Sequence, residues 1–142
     1  MNQPNANTQT LIQLWTQTNA LVRQLDAHLG AVHGLGFAEY MALHHLNAAP
    51  QLMLRRIDLA RVLCRSASGV TKMLNPMEKV GLVSKQVNPR DARVSLVKLT
   101  AAGLRSYQQA NNSLNQLSAG VFQHLDTADA EQLHGLLSGL ST

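Results

Sequence analysis

The 142-residue chain has a single cysteine, Cys64, so no intrachain disulfide can close and a four-cysteine zinc site is excluded. No run approaches the ~18–20 consecutive apolar residues of a membrane-spanning helix. The opening residues, Met1-Asn2-Gln3-Pro4-Asn5-Ala6-Asn7, are polar and lack the basic start and apolar core of an export signal. These absences predict a cytoplasmic protein with no membrane partner. There is no phosphate-cradling glycine loop and no nucleophile in a recognisable motif. Cys64 is the only residue that could pair with a histidine in that way, and no signature surrounds it. An enzyme is therefore not expected, and no cofactor is implied. The six histidines show no metal-ligand spacing. His44 and His45 would point about 100° apart on a helix, and His28, His33, His124 and His134 are scattered. No metal site is expected.

Acids are scarce where bases are dense. Between Arg55 and Arg105 eleven lysines and arginines face only Asp58, Glu78 and Asp91, a balance of +8. The rest of the chain has Arg23 against five acids, or −4. The middle suits a polyanion and the ends do not. With 45% hydrophobic residues, the chain can fold as one domain or as two small lobes sharing a core.

Apolar spacing divides it further. Leu11, Trp15, Val22, Leu25, Leu29 and Val32, with Thr18 in the missing place, mark one face of a first helix that Gly30, Gly34 and Gly36 bring to an end. A second helix is expected over 37–47 with Tyr40 and Leu43 inward, followed by a loop over 48–51 closed by Pro50. A third, over 55–63, sends Ile57, Leu59, Ala60 and Leu63 to the core. After a turn at Cys64-Arg65, Ser66 suits the N-cap of a fourth helix. Its buried side is Val70, Met73, Leu74 and Met77, and its exposed side Ala67, Ser68, Thr71, Lys72 and Asn75. Pro76 predicts a kink and Gly81 a stop. Residues 82–87 and 94–99 read as strands around an arginine-rich loop, 88–93. Thr100 then caps a long helix marked by Leu104, Tyr107, Leu114, Leu117, Val121 and Leu125. Thr127 starts a last helix, with Asp129 and Glu131 where the helix dipole favours acids, and Leu133, Leu136, Leu137 and Leu140 following.

The expected fold class is mainly α with a small β-wing. A winged helix-turn-helix lobe over 37–100 lies between an N-terminal dimerisation helix, 1–36, and C-terminal dimerisation helices, 101–142. The apolar stripes at both ends, with Leu11, Trp15, Leu114, Leu117, Val121, Leu133, Leu136, Leu137 and Leu140, exceed what a compact monomer covers, which predicts a homodimer. The fourth helix should enter the major groove of double-stranded DNA with its first turns. There Arg65, Ser66, Ala67, Ser68, Thr71 and Lys72 supply small surfaces, hydroxyls and charge to base edges or phosphates. Arg93 at the wing tip is expected in the minor groove, with Asp91 orienting a neighbouring guanidinium. Lys85, Arg90, Arg55 and Arg56 are phosphate candidates.

Leu59-Ala60, Val70-Thr71-Lys72, Gly81-Leu82-Val83 and, above all, Asp91-Ala92-Arg93 followed by Val97-Lys98-Leu99-Thr100 and Gly103 resemble the MarR family of bacterial transcriptional regulators. The likeness covers nearly the whole chain. Ala92 departs from the family's Asp-Arg-Arg, and Pro76 stands where a polar helix-former is usual. The resemblance implies a homodimer on a pseudopalindromic operator, acting as a repressor and released by a small aromatic or phenolic ligand. Family ligand crevices lie between the lobes, which makes Tyr40 and His44 the candidate lining. Peroxide-sensing members carry their reactive cysteine near the first helix, where this chain has none, so Cys64 reads as an inert thiol before it reads as a redox switch. Two alternatives stand beside this reading. One is a winged-helix protein-interaction module or antirepressor that meets an acidic protein, and the other a redox- or metal-responsive regulator.

Overall fold

Asn5 opens the first helix of the computed structural model, which describes residues Met1–Thr142 throughout. Its side chain accepts the Thr8 backbone N–H at 2.9 Å, and α1 runs Ala6–His33 until Gly34, at φ 66°, turns the chain. Two carboxylates then cap α2 (Phe37–Ala48): Asp26 Oδ1 accepts the Phe37 N–H at 2.6 Å, and Glu39 Oε1 the Gly36 N–H at 3.4 Å. A 3-10 turn over Pro50–Leu52 leads into β1 (Met53–Arg55), α3 (Arg56–Val62), α4 (Ala67–Lys79), β2 (Val83–Asn88), β3 (Asp91–Leu99), α5 (Ala101–Val121) and α6 (Thr127–Ser138). The strands form one antiparallel sheet in the order β1-β3-β2. This is the mainly helical fold with a small β-wing that the spacing predicts. No helix is long and apolar enough to cross a membrane.

By its packing the chain divides into two compact units, Met1–Ala110 and Asn111–Thr142. The first unit holds every buried core residue. Leu29 comes from α1, Leu43 and Leu46 from α2, Leu59 and Ala60 from α3, and Val70, Leu74 and Met77 from α4. Tyr40 and Ala42 of α2, Leu35 just before it, Val83, Val97 and Leu99 of the sheet, and Tyr107 and Ala110 of α5 complete it. Thr100 ties the wing's exit to α5, its oxygen accepting the Gly103 N–H at 2.9 Å while its proton points at the Gly81 and Leu82 carbonyls. Gly103 has to be glycine, because a β-carbon there would lie 2.0 Å from the Leu82 carbonyl oxygen. In the second unit Asp126 and Asp129 form a reciprocal cap on α6, with Asp126 Oδ1 accepting the Asp129 N–H at 2.7 Å. The leucines of α6 are exposed.

Three local expectations are corrected. β1 is absent from the sequence reading; it is three residues long, and its pairing Met53↔Lys98 to Arg55↔Leu96 is imposed by β3. Ile57 is 61% exposed, not a core residue, because the short α3 buries only Leu59 and Ala60. Pro76 lies inside α4, which runs on past it to Lys79, and is exposed. The supposed loop 88–93 is mostly strand, since Asn88 pairs with Asp91 and leaves only Pro89 and Arg90 in the turn.

Candidate nucleic-acid interface

The helix-turn-helix is closed by three backbone devices. The Leu63 N–H bonds the Leu59 carbonyl and the Arg65 N–H bonds the Ala60 carbonyl, both at 3.0 Å. Between them Cys64 adopts φ 52°, a left-handed conformation that a β-carbon disfavours. Ser66 then caps α4, its Oγ accepting the Gly69 N–H at 3.1 Å, as its place before the helix predicts. The Ser68 hydroxyl lies 3.3 Å from that same oxygen. Ala67, Ser68, Lys72 and Asn75 are exposed along one side of the helix.

Thr71 is only half-buried there, and its hydroxyl has two partners. It donates to the Ala67 carbonyl and accepts from Arg56 Nη1, each at 3.1 Å. These partners lie one helical turn and fifteen residues away, so the Arg56 contact depends on the folded packing of α3 on α4 and has no sequence signal.

The remaining bases differ in how far they are neutralised. Arg55 and Arg61 share Asp58, at 2.7 and 3.0 Å, and the Arg55 hydrogen bond holds the Asp58 carboxyl below its usual range. Lys85 reaches Glu78 and Asn75 on α4, each at 3.3 Å, which fastens β2 to that helix. Arg65, Lys72 and Arg90 are exposed and make no ion pair.

The wing places the sequence-predicted Asp91 and Arg93 together in an unexpected way. Val87 pairs with Ser95 while Asn88 pairs with Asp91, so Ala92, Arg93 and Val94 bulge out of β3 without partners on β2. Arg93 is therefore on the flank of the hairpin, and the tip belongs to Pro89 and Arg90. Asn88 Oδ1 accepts the Arg90 N–H at 2.9 Å and shapes that tip. Asp91 Oδ1 accepts both the Arg93 N–H at 3.0 Å and its Nε–H at 3.1 Å, and Oδ2 accepts Nη2–H at 3.3 Å. The guanidinium that Asp91 orients is thus that of Arg93, which remains 91% exposed. The same contacts, the side-chain bond first, hold the Asp91 carboxyl below its ordinary value.

Two features bear on a ligand. Tyr40 is buried and stacks on Tyr107 at 5.5 Å and on Phe37 at 5.8 Å, while His44 Nδ1 lies 2.7 Å from the Tyr107 hydroxyl. Burial, then the neighbouring Tyr107, pushes the Tyr40 phenol up to about 12. Separately, a cleft of about 770 Å³ is lined by Val22, Phe37, Met41, Leu63, Met73 and Pro76, together with the charged Arg65, Lys72, Asp26 and Glu39. Tyr40 and His44 are not among its lining residues. The histidines and acids nowhere assemble into a group of three.

A family model described as the MarR family matches residues 33–94. The HTH-type transcriptional regulator YhbI of Bacillus subtilis is 29% identical over 83 residues, 58% of this chain and 54% of that protein. The aligned region thus spans about half the length of that relative. The chain superposes on the transcriptional regulator BldR of Sulfolobus solfataricus with a TM-score of 0.84, at 19% identity over 99% of this chain and 100% of that one. It superposes on a mutant MarR of E. coli complexed with operator DNA with a TM-score of 0.77, at 25% identity over 94% and 92% of the two chains.

Proposed function

We propose that the chain, whose residues 33–94 match the MarR family model and which superposes on a MarR bound to operator DNA, is a winged-helix transcriptional regulator of that family and acts as a homodimeric repressor on a pseudopalindromic operator. The observation that carries this reading is the Arg93 bulge. A guanidinium preset by Asp91 and left exposed beside a basic helix-turn-helix suits entry into a narrow minor groove while α4 occupies the major groove. A second copy would cover the apolar residues that the single chain leaves open, such as Trp15 at 70% and Leu136 at 65% exposure. Bound over a promoter, such a dimer excludes polymerase.

Release by a small aromatic or phenolic ligand is favoured by the cleft, because Arg65 and Lys72 line it and also lie at the DNA-facing start of α4. Phe37 and Met41 would receive the ring, in place of Tyr40 and His44, which are occupied with Tyr107.

Salt titration tests the central claim. If each dimer neutralises six to ten phosphates, affinity for promoter DNA upstream of its own gene should fall about 10³–10⁵-fold between roughly 50 and 200 mM salt. No retention of that DNA at low salt, with capture of an acidic protein partner instead, would transfer the basic face to protein recognition.

A further inference from the structure

We infer that Thr71 reads the 5-methyl group of thymine through its own γ-methyl, and that Arg56 is the positioning residue that leaves it this role. The inference rests on the reading that α4 enters the major groove.

A threonine hydroxyl has one proton, and that of Thr71 goes to the Ala67 carbonyl. It therefore has none to give to guanine O6 or N7, adenine N7 or thymine O4, the acceptors exposed in the major groove. One of its lone pairs is taken by Arg56 Nη1. Together the two bonds fix χ1. Its second lone pair can accept only from an adenine or cytosine amino group, and the rest of the side chain, the γ-methyl, has no polar partner.

Arg56 has reason to keep its bond when DNA arrives. Asp58, the one acid on α3, is shared by Arg55 and Arg61. The Nε of Arg56 is buried and has no hydrogen-bond partner. Letting go of Thr71 would leave a second donor of the same half-buried guanidinium unsatisfied. Ala67 lies one turn earlier on the same face and is exposed. The two residues bring methyl groups to the leading turns of α4, and the only apolar group on any major-groove base edge is the thymine methyl.

The test uses the full chain and the tightest duplex it selects from a randomised pool, resynthesised with deoxyuridine in place of each thymidine in turn. Removing one methyl, at the sensitive position of a single half-site, should weaken wild-type binding about threefold to fourfold, the worth of one buried methyl. Thr71→Ser, which keeps the hydroxyl, should lose that penalty, and Thr71→Val, which keeps a methyl, should retain it. Each comparison is a ratio within one protein, so a change in that protein's stability cancels. Arg56→Met frees the hydroxyl to rotate and should shrink the penalty, and adding Thr71→Val to it should restore the penalty, a rescue that a merely structural arginine would not show. Thr71→Ser with the wild-type penalty, or Thr71→Val without it, overturns the assignment. Wild-type binding with no deoxyuridine penalty at any position overturns it alone. Failure of the wild type to select any duplex removes the DNA-binding reading as well.

Discussion

Cys64 joins α3 to α4 at φ 52°, where its β-carbon crowds the following carbonyl at a cost of roughly 1–2 kcal/mol. Glycine would relieve that strain while losing some chain entropy. Cys64→Gly is therefore expected to stabilise the fold by about 0.5–1 kcal/mol, read as a higher urea midpoint with an unchanged m-value. Tyr40 contributes to stability at alkaline pH. Its phenol titrates near 12 in the folded protein, above the ordinary value of 10. The neutral form is thus favoured by folding, and its stabilising contribution is complete below pH 10 and lost as pH rises through about 12. Absorbance at 295 nm should show a late phenolate step, and Tyr40→Phe should abolish it. The position of Tyr40 on the inner face of α2 is legible from the helical spacing; its stacking on Tyr107 is not, because 67 residues separate the two and only the fold brings α5 against α2.

The wing hairpin is the element whose chemistry sequence spacing locates and whose geometry it misses. Asp91 and Arg93 stand out as residues, yet a run of six residues, all but Ala92 polar or turn-forming, reads naturally as a loop. The decision between loop and strand lies in the pairing Asn88↔Asp91, a contact that no local pattern encodes. β1 is hidden for the same reason, since three residues are too few for alternation to show. The helices are legible because their apolar positions recur over several turns and Ser66 announces a cap. On the seven-residue α3 that signal is too short, and Ile57 is misassigned to the core. Within the hairpin, Arg93→Ala should weaken operator binding by about 1–3 kcal/mol. Because the side chain is 91% exposed, the melting temperature should hardly change. Asp91→Asn keeps an acceptor for the Arg93 N–H but removes the ion pair, so a smaller loss in the same fluorescence-anisotropy titration is expected.

For the molecule as a whole, the question is what covers its apolar residues. Trp15→Glu and Leu136→Glu place charge at sites that are 70% and 65% exposed in the single chain. Each chain should therefore still fold, with wild-type circular dichroism. If a second copy covers those sites, sedimentation should fall from twice 15.4 kDa toward 15.4 kDa, and operator binding should weaken with it. Wild-type sedimentation at 15.4 kDa would refute the dimer. The register break beside Val87 has a consequence for how such a regulator can diverge. The ladder from Val83↔Leu99 to Val87↔Ser95 is complete before the bulge begins. Residues 88–94 therefore form a cassette that can be lengthened, shortened or exchanged without disturbing a single core side chain. With the wing on DNA as proposed, substitutions in that cassette would change the operator while the scaffold stays unchanged.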